Sequence, residues 1–193
     1  MSVTLLKKLR RRDIAKLLVL LETMKLGQWS KKKRVGALGH RQHYGKIYEG
    51  RFTKCWNMSA HCQKHPRVWK ALKHLQKKIR RANPEYLFPT RFQAIQVNRN
   101  VECGKHKDKN NMGESLIVSI GKYTGGLLCV GSGKFQLRRQ PALFNGAENE
   151  HWNTPSDGLK FSIIYYNSKI PERPCNPDKK AAFYRDRADN IKK

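Results

Sequence analysis

Beyond Phe92 the chain divides into short β-forming segments set close together and punctuated by Gly and Pro. Residues 92–98 alternate apolar and polar side chains. Residues 115–120 and 126–130 are dense apolar runs, joined by the turn-like Lys122-Tyr123-Thr124-Gly125. Residues 134–137, 142–144 and 160–166 supply further strands. A parallel β-α-β unit needs a crossover of a dozen or more residues between its strands. Spacing this tight instead predicts an antiparallel sandwich or barrel.

Two helices are predicted ahead of these strands. In residues 4–25, Leu5, Leu6, Leu9, Ile14, Leu17, Leu18 and Leu21 fall mostly on one face, and Gly27 can end the helix. In residues 65–83, Val68, Leu72, Leu75 and Ile79 step by four, three and four to make a single apolar stripe. Lys70, Lys73, Lys77, Lys78, Arg80 and Arg81 crowd the rest of that helix, and its basic side is expected to face out beside the mouth of the β-domain. Residues 28–64 have no clear period and read as loop or short strands. The fold class expected is therefore mainly β with flanking helices (α+β). Three parts are expected: a basic N-terminal segment with one helix (1–64), a β-domain with a basic leading helix (65–170) and a polar C-terminal tail (171–193).

Charge narrows the partner. The 193 residues include 41 Lys and Arg against 14 Asp and Glu, a net charge of +27. Residues 1–83 hold 23 of the basic residues and only Asp13, Glu22 and Glu49 of the acidic ones. Such density points to a polyanion, nucleic acid first. The longest apolar stretch, residues 14–21, is interrupted by Lys16 and is far short of the ~20 residues of a membrane helix, so no membrane partner is expected. The five cysteines, Cys55, Cys62, Cys103, Cys129 and Cys175, are odd in number and scattered, as expected of free thiols in a reducing compartment. Cys55, His61, Cys62 and His65 lack a clean second ligand pair for zinc. The run Lys31-Lys32-Lys33-Arg34 has the character of a nuclear import signal. The nucleus is the expected compartment, an organelle the alternative, and a monomer the expected state.

His106-Lys107-Asp108 and the distant His151 have the spacing of a facial triad, two imidazoles and one carboxylate on one face of a metal ion. Alternate residues of an extended segment point the same way, so His106 and Asp108 can reach one ion. Around them stand Gln96-Val97-Asn98-Arg99-Asn100, Lys109-Asn110-Asn111, Gly113-Glu114-Ser115-Leu116-Ile117-Val118 and Tyr123-Thr124-Gly125-Gly126. Phe144-Asn145-Gly146 precedes His151, and Gly158-Leu159-Lys160-Phe161-Ser162 runs into Ile163-Ile164-Tyr165-Tyr166. In that order, over about residues 65–167, these motifs resemble the Tet/J-binding-protein family of 2-oxoglutarate- and Fe(II)-dependent dioxygenases.

The resemblance implies a double-stranded β-helix (jelly roll) with His106, Asp108 and His151 as ligands of Fe(II), and with 2-oxoglutarate and O2 as co-substrates. Lys160 and Ser162 match the pair that anchors the distal carboxylate of 2-oxoglutarate. The family has Arg at the first of these positions, and Lys keeps the charge but loses the bidentate fork. Arg99 is a candidate for the co-substrate or for a phosphate. Asn111 matches a position that touches the target base, with a loop-capping Asn as the alternative. Ser168 stands where the family has a base-contacting His. Lys105, Lys107 and Lys109 flank the expected metal site and suit a polyanion. The implied activity is oxidation of the methyl group of a 5-methylpyrimidine, 5-methylcytosine or thymine, in DNA. The rivals are a dioxygenase acting on RNA or protein and a non-catalytic nucleic-acid binder of the same fold.

Overall fold

The computed structural model describes residues 3–26, 29, 37–49, 55–86, 88 and 92–169. The basic run at 31–34, Cys175 and the tail from 171 onward lie outside the described residues. Among the described residues ten strands are formed: β1 (Thr4–Leu5), β2 (Ala37–Glu49), β3 (Cys55–Met58), β4 (Ala94–Cys103), β5 (Asn111–Gly125), β6 (Leu128–Val130), β7 (Gly133–Phe135), β8 (Ala142–Phe144), β9 (His151–Asn153) and β10 (Ser156–Ser168). Among the described residues three helices accompany them: α1 (Arg11–Glu22), α2 (Ala60–Lys64) and α3 (Pro66–Ala82). The major sheet has the order β1-β8-β5-β10-β4-β2-β3, and a minor sheet has the order β7-β6-β9. All the neighbouring strands of these two sheets pair antiparallel. This is the antiparallel two-sheet class expected from the strand spacing, and it is consistent with the jelly roll that the resemblance implies.

The N-terminal region departs from its sequence pattern. The helix predicted over 4–25 begins only at Arg11, because the chain ahead of it is taken by the sheet edge. Thr4 and Leu5 pair with Leu143 and Ala142 of β8. Leu6 and Leu9 then donate their backbone N–H groups to the carbonyls of Pro141 and Arg139. Leu6 and Leu9 are still buried, but from an extended segment. Asp13 closes the start of α1 by accepting from the backbone N–H of Arg10. Residues 37–49, which lack a period, form a long strand paired with β4 along most of its length.

The two faces of the major sheet are chemically different, and β10 shows the division. Phe161, Ile163 and Tyr165 are fully buried and point to the outer face. There they join Ile95, Val97, Leu116, Val118 and Ile120 under the apolar stripe Val68, Leu72, Leu75 and Ile79 of α3 and Ile14, Leu17 and Leu21 of α1. Tyr165 completes the seam by donating its hydroxyl to the Leu72 carbonyl at 2.8 Å. The intervening residues Lys160, Ser162 and Ile164 point to the inner face, which the minor sheet covers. Part of that interior is apolar, with Ile117, Leu128, Val130, Leu137, Ala142 and Phe144. The rest is polar and holds the candidate site. Helix α3 thus forms as its stripe predicts, but it lies behind the sheet. Its basic side faces away from the interior rather than bordering its mouth, because the apolar stripe must meet the outer face.

Candidate active site

His106 and Asp108 lie in the turn after β4, and His151 opens β9. Backbone pairing brings the two segments together. His106 and His151 exchange N–H···O bonds at 3.0 and 2.9 Å, and the Asp108 N–H donates to the Gly146 carbonyl at 2.8 Å. The His106 and His151 rings come to 4.3 Å between centroids, and Phe144 packs edge-on against His151 at 5.0 Å. The Asp108 carboxylate sits between them, with Oδ1 3.8 Å from His106 Nε2 and Oδ2 3.7 Å from His151 Nε2. One ligand atom from each residue falls within 4.8 Å of the others, and among the described residues this is the one group suited to a metal ion.

Both imidazoles are set for that role by what their other nitrogen does. His106 Nδ1 lies 2.8 Å from the Gly104 carbonyl, and His151 Nδ1 lies 3.0 Å from the Asn149 carbonyl. A carbonyl only accepts, so each Nδ1 carries the proton and each Nε2 presents a lone pair to the Asp108 side. Burial, with a smaller push from His106, holds His151 below the ordinary histidine pKa and keeps it neutral. Two imidazoles and a carboxylate on one side of an ion-sized gap fit a divalent first-row metal, Fe(II) included.

Asn111 is brought to the cluster. Its side-chain amide donates to Asp108 Oδ2 at 3.3 Å, which steadies the carboxylate. Ser168, aligned with the expected base-contacting histidine, lies beside Asn111 in the β5–β10 register. Lys105, Lys107 and Lys109 are exposed around the ligand loop, and the Lys105 ammonium lies over the Trp152 ring at 4.9 Å. Arg99 is not brought to the site. It pairs with Phe161 on the outer-face register and donates to the Met24 carbonyl at 3.4 Å, next to the C-terminal end of α1.

Lys160 is the unusual residue of the interior. It is 4% exposed, and its ammonium donates to the Gly126 carbonyl at 2.6 Å and lies 5.6 Å from the Tyr123 ring centre. Among the described residues no carboxylate forms an ion pair with it. Burial lowers its pKa from the ordinary lysine value, with weaker opposing pulls from Cys103 and Glu102. Gly126 makes the room: a Cβ there would come 2.8 Å from Lys160 Nζ. Ser162 is two residues on, on the same face, with its hydroxyl 3.3 Å from that of Ser119.

Several interior residues were not singled out from the sequence. Asn98 and Ser119 flank Ser162 in one row across β4, β10 and β5. Gln96, in the next row, donates to Asn98 Oδ1 at 2.7 Å. Cys103 stands between Lys160 and the triad. Burial raises its thiol pKa, and it senses both the Asp108 carboxylate and the Lys160 ammonium. Asn153 fixes it, accepting from its backbone N–H at 3.1 Å and its thiol at 2.8 Å. The available signal was periodic: Ser115 and Ser119 interrupt the apolar run of β5 at inner-face positions only.

Comparison with known proteins agrees with this geometry. No family model and no curated protein sequence matches the chain. Solved structures do. A TET protein, NgTET1 in complex with 5mC DNA, superposes with a TM-score of 0.65 at 13% identity, over 95% of this chain and 80% of that one. A 2OG-Fe(II) oxygenase family oxidoreductase from Burkholderia pseudomallei gives 0.59 at 14% identity, over 84% and 82%. OsALKBH1 gives 0.54 at 14% identity, over 86% and 96%. The chain therefore shares the jelly-roll fold of these oxygenase structures, with a His-Asp-His group able to hold a metal ion in its interior.

Proposed function

We propose that this protein is a 2-oxoglutarate- and Fe(II)-dependent dioxygenase that oxidises the methyl group of a 5-methylpyrimidine in DNA. The observation that carries the reading is the pairing of the triad with a buried, unneutralised ammonium in the same interior. His106, Asp108 and His151 would hold Fe(II) through Nε2, a carboxylate oxygen and Nε2. Lys160 would neutralise the distal carboxylate of 2-oxoglutarate, with the Ser162 hydroxyl as a second donor. A buried cation lacking an anion is unfavourable unless a ligand supplies one, and a dicarboxylate does so. When bound, Fe(II), 2-oxoglutarate and O2 supply the oxidising power, with succinate and CO2 as by-products. The protein's part is to orient the ligands, to fix their protonation and to keep the interior dry. Asn111 steadies Asp108, and Phe144 walls off the buried side of His151.

The substrate class is supported by charge and by likeness. Lys105, Lys107 and Lys109 ring the triad loop and suit phosphates beside a base turned out toward the metal, a step that costs a few kcal/mol in a duplex. NgTET1, the structural neighbour with DNA bound, carries 5mC. A second reading, oxidation of RNA or of a protein side chain, has its protein branch favoured by the likeness to a prolyl-4-hydroxylase from Pseudomonas putida, with a TM-score of 0.52. Nucleoside mass spectrometry after incubation with Fe(II), 2-oxoglutarate and methylated DNA decides between them. Hydroxymethyl products dependent on Asp108 are expected. Succinate formation stimulated by RNA or a peptide, with DNA unchanged, would favour the second reading.

A further inference from the structure

Helix α3 carries a row of cations directly opposite its buried stripe. At 100° per residue, Val68, Leu72, Leu75 and Ile79 cluster about one direction, and Lys70, Lys73, Lys77 and Arg81 cluster about the reverse. The four stripe residues are buried and the four cations exposed. The row rises about 4.5 to 6 Å between neighbours and spans about 16 Å. A nucleic-acid strand presents one phosphate per roughly 3.4 Å of duplex axis, so the row runs alongside about five of them. The other exposed positions of α3 after Pro66 are Arg67 and His74, and residues 60–83 contain no Asp or Glu.

Helix α1 extends the patch. It packs beside α3, and its Arg12 and Lys16 are exposed, opposite the buried Ile14, Leu17 and Leu21. The acidic residue at the junction is already engaged, since Asp13 accepts from Lys78 at 3.0 Å and from Arg10 at 3.4 Å. A membrane surface would call for several exposed apolar residues among the cations; the outer side of α3 has none past Pro66, and on α1 the large apolar side chain exposed on the side of Arg12 and Lys16 is Val19 alone.

We infer that the α1–α3 face is a second nucleic-acid backbone site, separate from the catalytic interior by the thickness of the major sheet. The two sites take different stretches of polymer. The back retains the protein on nucleic acid while the interior meets individual bases, and neither sequence nor base modification matters at the back.

The test is fluorescence anisotropy with a short unmodified DNA duplex, using the full chain without iron or 2-oxoglutarate, so that the result is independent of the oxidation reading. The compared proteins are wild type, a back variant (Lys70→Gln, Lys73→Gln, Lys77→Gln, Arg81→Gln) and a mouth variant (Lys105→Gln, Lys107→Gln, Lys109→Gln). Gln keeps helix propensity close to that of Lys and Arg, and circular dichroism verifies that α3 persists. The back variant is expected to lower the slope of log affinity against log salt by about 3 to 4, near 0.9 per lost phosphate contact. The mouth variant, which removes the three cations assigned to phosphates beside the flipped base, is expected to lower it by a separate increment of no more than about 3. A folded back variant with the wild-type slope overturns the proposal. So does displacement of the duplex from the wild-type chain by phosphatidylserine vesicles that the back variant fails to bind, which would assign the face to a membrane.

Discussion

The outer and inner faces of the major sheet are built from the same strands, and they obey opposite rules. On the outer face, Phe161, Ile163, Tyr165, Val97, Leu116 and Val118 bury apolar surface under two helices. On the inner face, one residue along, stand Lys160, Ser162, Asn98 and Ser119. Burying Leu or Ile side chains stabilises the fold by about 1.5–3 kcal/mol each. Burying an ammonium with one carbonyl partner opposes it. The outer face thus contributes stability that the inner face spends on a charge whose partner is a ligand.

Lys160→Met breaks this comparison most severely. Removing the cation leaves the distal carboxylate of 2-oxoglutarate buried and unpaired, a loss of about 3–5 kcal/mol, or roughly a hundredfold and more in half-saturating concentration. The same change should raise the stability of the ligand-free protein by about 1 kcal/mol or more. Succinate assays against 2-oxoglutarate and urea unfolding measure the two halves. Lower stability together with unchanged 2-oxoglutarate dependence would remove Lys160 from the site.

Leu72→Ala is the outer-face counterpart. It opens a cavity beneath α3 and should cost about 2–5 kcal/mol in urea unfolding. Half-saturation by 2-oxoglutarate, measured on the folded fraction, should not move. Asn111→Ala acts on the inner face at a smaller scale. Without the amide at Asp108 Oδ2, Fe(II) affinity should fall about 10-fold or more, as for other partners of metal ligands. If Fe(II) affinity holds and only base oxidation weakens, Asn111 is a substrate contact instead.

Acid gives the mildest effect. Burial holds His151 and His65 below the ordinary histidine pKa in the folded state. The unfolded chain therefore binds more protons once pH falls below about 6.5. Stability from these groups is complete above that value and declines below it. Urea midpoints of the metal-free protein at about pH 7.5 and pH 5.5 should show the decline, and His151→Asn should reduce it.

The sequence disclosed the outer face more fully than the inner. The stripe Val68, Leu72, Leu75, Ile79 named both the helix and its buried side, since a 3.6-residue period records which side is covered. It left open where the covered side would dock, and so the basic row came to lie behind the sheet. The ligands were legible because His106 and Asp108 are two residues apart and His151 is set in a recognisable order of motifs. Asn98, Ser119 and Cys103 were not, because a polar residue in a strand looks alike whether it faces solvent or an interior site. Arg99 illustrates the same ambiguity: a single step of register separates the two faces, and it lies on the outer one. The early start expected for α1 failed because backbone pairing with β8 is long-range and leaves no local pattern in Thr4-Leu5.

The central claim is that one interior holds Fe(II) at His106, Asp108 and His151 and a dicarboxylate at Lys160. Anaerobic titration of the Fe(II)-loaded protein with 2-oxoglutarate tests it directly, because chelation of the metal by the keto acid produces a visible charge-transfer absorption without turnover or substrate. Wild type should develop the band saturably. Asp108→Ala should show none, and Lys160→Met should require roughly a hundredfold more 2-oxoglutarate. A wild-type protein that binds Fe(II) and gives no band at any 2-oxoglutarate concentration, or a band that survives Asp108→Ala unchanged, would contradict the account.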